Sequence, residues 1–219
     1  MAVGPSRRKL RLGPFVFAPD MARKRTCLLA LNLAALLVGC GSARAADAAA
    51  GKTLAEACAG CHGANGISQT QRTPSLAGEP DDFIQWQLVF FRGGTRKNEV
   101  MGPIAEALDN EKIRNLGAYY ASLPPPKPEQ SASTSDALAQ TGGTLARGHR
   151  CRSCHGEDFA GGGPAARLAD QREDVLLKAL RDFKSGARVG AGVASMADVT
   201  FELSDADMQA LAHYMATLP

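Results

Sequence analysis

The chain has 219 residues, room for one large domain or two small ones, and aromatic side chains make up only 5% of it. So few rings leave a helical domain of ~90 residues with a thin core, which a bulky apolar group would complete. The formal charge of +3 belongs to the N-terminus: residues 1–45 hold eight of the 25 basic and one of the 22 acidic side chains, so the remainder, 17 against 21, is near −4 and nucleic-acid binding has no compositional support.

The leader comes first. From Met21, a positive stretch (Arg23, Lys24, Arg25) precedes a twelve-residue apolar run, Cys27 to Val38, and a small-residue cleavage box, Ala43-Arg44-Ala45. This is the layout of an export signal, too short for a comfortable membrane span. Residues 21–45 are therefore expected to be removed, leaving a periplasmic protein that starts near Ala46. Leu37-Val38-Gly39-Cys40 also reads as a lipobox, and the alternative is a chain anchored through a lipidated Cys40. Residues 1–20 read as an over-long start assignment: Arg7-Arg8 hints at a twin-arginine signal, but Pro14, Pro19 and Asp20 interrupt any apolar run behind it.

The first half of the remainder, residues 46–124, opens on "CAGCHG" with Cys58, Cys61 and His62. After Asp81-Asp82, Ile84, Leu88 and Phe91 recur with Phe83, Trp86 and Phe90 at helical spacing, and Gly93-Gly94 ends that helix. A last helix carries Ile113, Leu116 and Tyr120 behind an Asp109 cap, with Lys112 at its third position. Residues 125–141 are rich in Pro, then Ser, Thr and Gly, and read as a linker.

The second half, residues 142–219, repeats the first. "CRSCHG" presents Cys151, Cys154 and His155, and residues 168–188 match 76–96 without a gap. Val175, Leu176, Ala179, Leu180 and Phe183 form the matching helix, closed by Ser185-Gly186. Ser204 with Asp207 suggests a capping box before Met208, Leu211 and Met215. No segment alternates with period two for long enough to make a strand, so the class is all-α, with two tandem domains of one kind.

Three chemistries compete for C-x-x-C-H. A structural zinc site needs four ligands, yet these pairs stand 93 residues apart in separate domains. A redox C-x-x-C belongs beside a βαβ pattern, and none is visible. Covalent haem fits: cysteines at i and i+3 share one side of a helical turn and can bond one macrocycle, and the adjacent histidine faces the iron. Two matches in register, behind an export signal, indicate two haem c groups. For a sixth ligand, Met101 follows His62 by 39 residues and Met196 follows His155 by 41. Both stand before the last helix in loop-like sequence, "NEVMGPI" and "GVASMAD". A thioether ligand favours the ferrous state. Met208 and Met215 fall on a helix stripe and read as core.

With these motifs the chain resembles a dihaem class I cytochrome c of the cytochrome c4 type, over residues 50–219. "SLAG" and "RLAD", "FRGGTR" and "FKSGAR", and "LGAYYASLP" and "LAHYMATLP" carry the resemblance with the haem strings and the two methionines. It implies Cys58, Cys61, Cys151 and Cys154 as covalent haem anchors. It implies His62 with Met101 and His155 with Met196 as axial pairs, and electrons passing through two haems to a terminal oxidase or another acceptor. The family places a proline after the haem turn whose carbonyl orients the axial histidine. Pro74 fits, but Ala166 stands at the matching place of the second half, which puts the hydrogen bond to His155, and equal haem potentials, in question.

Arg96 and Arg188, at one repeat position, are candidates to face haem propionates; solvated charges are the bland reading. His149, two residues before Cys151, is a rival ligand that reads better as a surface residue, His213 reads as helix surface or helix contact, and Gly161 to Gly163 lack the strand and Lys-Ser/Thr of a phosphate loop. No catalytic constellation stands out. The expected function is a periplasmic electron carrier between a respiratory donor and an acceptor, its partners redox proteins, among them a membrane oxidase or dehydrogenase, with peripheral membrane association compatible. The alternatives are the cytochrome subunit of a dehydrogenase complex and, third, a dihaem enzyme with an exchangeable iron site.

Overall fold

A computed structural model describes residues 45–127, 136–190 and 194–218. The export signal, the Cys40 lipobox and the start assignment lie outside those residues. Every regular element among the described residues is helical, apart from one isolated bridge between Gly162 and Ala165. None of these helices is long and apolar enough to cross a membrane.

In the first half α1 (Ala48–Ala55) runs through a 3-10 turn, Glu56–Cys58, into the short α2 (Ala59–His62). Then come α3 (Asp81–Arg92), α4 (Met101–Glu106) and α5 (Asn110–Ser122). The second half repeats this with α6 (Asp136–Gly148), α7 (Arg152–His155), α8 (Glu173–Lys184), α9 (Ala194–Phe201) and α10 (Asp205–Ala216). The expected helices appear where the apolar spacing placed them. Asp109 accepts from the Lys112 N–H at the head of α5. Ser204 and Asp207 form a full capping box on α10.

The first helix of each half crosses the last: α1 packs on α5, and α6 on α10. Glycine permits the close approach. A Cβ at Gly51 would lie 2.0 Å from the Asn115 carbonyl oxygen, and one at Gly142 would lie 2.1 Å from that of Ala210. Asn115 and Ala210 occupy the same repeat position, so both halves share one crossing. The third wall is α3 against α5 in the first half and α8 against α10 in the second.

The cores are small, as the scarcity of rings suggests. Ala55, Ile84, Leu116, Tyr119 and Tyr120 form the first. The second gathers Phe159, Leu176, Leu203, Leu211 and both stripe methionines, Met208 and Met215.

Two sequence expectations change. Helix α6 begins at Asp136, inside the segment 125–141 read as linker. Ala137, Leu138, Ala139 and Gln140 are good helix formers and outweigh the nearby Ser and Gly. Met101 and Met196 are helical rather than in loops: Met101 opens α4 and Met196 sits in the first turn of α9. The Asn98 Oδ1 accepts from the Val100 and Met101 N–H groups and starts α4. Pro103 is tolerated because its missing N–H falls in the first turn.

Candidate haem site

Each C-x-x-C-H string wraps into one short helical turn that ends at its histidine. The glycine after each histidine takes a left-handed backbone, Gly63 at φ 82° and Gly156 at φ 84°. It turns the chain sharply back so that a later segment passes beside the ring.

In the first half that segment supplies the Pro74 carbonyl, 2.9 Å from His62 Nδ1. A carbonyl only accepts, so Nδ1 carries the proton and the Nε2 lone pair is left for a metal. Burial pulls the His62 pKa below its ordinary value, against the opposing pull of the Pro74 bond, which favours the neutral ring that metal ligation needs.

The second half builds the same bond without proline. His155 Nδ1 lies 2.8 Å from the carbonyl oxygen of Ala166. The hydrogen bond that the Ala166 substitution put in question is present. Its acceptor is a main-chain oxygen, which any residue offers, and the turn around it is fixed by other means. The Gly161 N–H donates to the His155 carbonyl at 2.8 Å, and Gly162 and Ala165 close an antiparallel bridge that delivers Ala166 to the ring. His155 is buried and its pKa is lowered by that burial.

The cysteines match as well. Cys58 and Cys151 are half-buried, Cys61 and Cys154 exposed, and no disulfide joins them. Burial pushes the thiols of Cys58 and Cys151 above their ordinary range, the opposite of the low-pKa thiolate that disulfide exchange uses. Among the described residues no three His, Cys, Asp or Glu side chains converge to hold a metal ion, so the two pairs do not share a bridging zinc. A neutral histidine with a free Nε2 one residue after an i, i+3 cysteine pair fits covalent haem.

Met101 and Met196 are both half-buried. Their helices pack on α3 and α8 respectively. Met208 and Met215 are buried at 3% and 5% exposure, as core residues should be. His213 is also buried, with Nδ1 3.0 Å from Glu173 Oε2, and His149 is half-buried.

Arg96 and Arg188 converge rather than point to solvent. Arg96 Nη1 lies 2.7 Å and Arg188 Nη2 2.9 Å from one acceptor, Gln87 Oε1. Each guanidinium also stacks over a ring of its own domain, Phe91 at 4.5 Å and Phe183 at 4.6 Å. Burial first, then the neighbouring Arg188 charge, pulls the Arg96 pKa down to about 9. Burial pulls that of Arg188 to about 10. Both stay charged at neutral pH. Arg188 Nε is buried without a partner, a donor that a carboxylate such as a haem propionate would satisfy.

Sequence reasoning passed over two residues beside these sites, Glu79 and Gln171, buried at 4% and 7% exposure. The signal for them was a buried polar pair at one repeat position, Glu in "LAGE" and Gln in "LADQ".

Comparison with known proteins agrees with this geometry. The Cytochrome c family matches residues 48–124 and again 139–219. The chain is 32% identical to cytochrome c4 of Azotobacter vinelandii over 212 residues, 88% of this chain and 97% of that one. It is 32% identical to a thiosulfate dehydrogenase electron acceptor of Thiomonas intermedia, over 78% of this chain and 82% of that one. Its fold matches the crystal structure of reduced cytochrome c4 from Pseudomonas stutzeri with a TM-score of 0.72 and 28% identity, over 80% of this chain and all of that one.

Proposed function

Since the chain belongs to the cytochrome c family, as a two-domain electron carrier of the cytochrome c4 type with two haem c groups, we propose that it shuttles single electrons between redox proteins outside the cytoplasm. Cys58 and Cys61 anchor one haem, and Cys151 and Cys154 the other. His62 and Met101 would ligate the first iron, His155 and Met196 the second. Bound haem supplies a one-electron iron couple. The protein residues hold its surroundings nearly constant in both oxidation states.

The observation that carries this reading is the matched pair of ring hydrogen bonds, His62 to Pro74 and His155 to Ala166. Each fixes the tautomer and orientation of an imidazole and leaves Nε2 as a ligand. Thioether ligation by Met101 and Met196 would raise the potential and leave the iron no open site. That suits electron transfer, not turnover of a small substrate. Arg96 and Arg188 would hold the propionates and favour positive potentials. Absorption and redox titration of the purified protein test the assignment. Two haems per chain, low-spin spectra and the weak methionine–iron band at the red end are expected. A high-spin ferric signal would point to an open iron site instead.

A second reading is the electron-accepting subunit of a dehydrogenase. The likeness to the Thiomonas intermedia protein favours it. Reduction of the oxidised protein by thiosulfate and a thiosulfate-oxidising enzyme, faster than reduction of other acceptors by the same enzyme, supports this reading. For location, fractionation with N-terminal sequencing separates a soluble chain beginning near Ala46 from one lipidated at Cys40.

A further inference from the structure

The peptide groups that orient the two histidines are themselves held, each by the other domain. The group between Pro74 and Ser75 turns its oxygen to His62 and its N–H to Gln171 Oε1, at 2.9 Å in both cases. The group between Ala166 and Arg167 turns its oxygen to His155 at 2.8 Å and its N–H to Glu79 Oε2 at 2.9 Å. Glu79 belongs to the first domain and serves the second. Gln171 belongs to the second and serves the first. The two occupy one repeat position and touch each other, Gln171 Nε2 lying 3.4 Å from Glu79 Oε1. Gln171 Nε2 also donates to the Ser75 carbonyl at 2.9 Å, closing a bidentate clamp.

A peptide group transmits polarisation. An acceptor on its N–H pushes electron density toward its oxygen, and hydrogen bonds linked in this way strengthen one another. A stronger acceptor on Nδ1–H makes the imidazole a more basic ligand and stabilises the ferric state. The two relays differ in one respect, carboxyl against amide. An ionised carboxylate forms the stronger hydrogen bond.

We propose that Glu79 and Gln171 are positioning residues that act across the domain boundary, Glu79 in its ionised form raising the donor strength of His155 above that which Gln171 gives His62. The inference rests on the two histidines being the iron ligands proposed above. With Glu79 ionised, it predicts a lower potential for the second haem than an amide in both places would give. Burial raises the Glu79 pKa to about 8, opposed by the Arg167 N–H, Gln171 and the charges of Arg167 and Arg188. The difference between the relays therefore grows as pH rises through that value.

The test uses the dihaem protein, with E79Q and Q171E compared to wild type above and below pH 8. Redox titration gives both midpoint potentials. Proton NMR of the reduced, diamagnetic state gives the ring N–H resonances of His62 and His155. E79Q should raise the second haem's potential and move the His155 N–H upfield at the higher pH, with the difference vanishing at the lower. Q171E should lower the first haem's potential and move the His62 N–H downfield. E79Q copies the amide already present at the matching position, and Q171E supplies an opposite sign at the other haem, so one folded variant suffices. If folded variants leave both ring resonances and both potentials unchanged at high pH, the relay is refuted. If wild type itself lacks a His–Met spectrum, the ligand assignment fails instead.

Discussion

His155 Nδ1 lies 2.8 Å from the Ala166 carbonyl oxygen, and His62 Nδ1 lies 2.9 Å from that of Pro74. The acceptor is the same main-chain atom in both halves, so the proline is dispensable for the bond. Pro74→Ala should keep the first haem's spectrum and potential. It should cost only about 0.4–1 kcal/mol, through a freer unfolded chain. Chemical denaturation with a parallel redox titration checks both. A large potential shift would show that the ring itself tunes the ligand.

The proposed ligation gives the methionines different roles. Met101→Ala and Met196→Ala should each remove about half of the red methionine–iron band and lower one potential, because the soft ligand is lost. Met208→Ala should leave the band whole and cost about 2–5 kcal/mol, because it empties a core position. Absorbance and thermal unfolding separate the outcomes.

The helix crossings set a steric test. Ala at Gly51 or Gly142 would place a Cβ about 2 Å from a backbone oxygen of the facing helix. The helices must separate, at a cost of about 1–3 kcal/mol. Guanidinium melts of G51A and G142A measure it, with Gly60→Ala, where a Cβ meets nothing within 4 Å, as the unaffected comparison.

Glu79 links stability to pH. Its folded pKa is raised from 4.5 to about 8, chiefly by burial, so the folded chain binds this proton more tightly than the unfolded one. The stabilisation is full below the unfolded value and is lost as pH rises through about 8. The unfolding temperature of wild type should fall across that window more steeply than that of E79Q. Equal slopes would contradict the shift.

Much of this was legible in the sequence. The haem strings, the matched apolar stripes of α3 and α8, and the Asp109 and Ser204 caps are local patterns, and each reads directly from its residues. What did not read was contact between segments far apart in the chain. The Ala166 bond depends on how Gly161 to Ala165 fold back, and a missing proline hid it. Glu79 and Gln171 reach residues 88 and 96 positions away, a distance no periodicity records. Arg96 and Arg188 showed their shared repeat position in the sequence but not their shared partner, Gln87.

The most direct test of the account is a potentiometric titration of the purified protein followed by absorbance across the visible range. Two haems per chain, two one-electron steps and a methionine–iron band that appears as both centres oxidise are the predicted result. One haem per chain, or a ferric spectrum without that band, would contradict two His–Met electron-carrying centres.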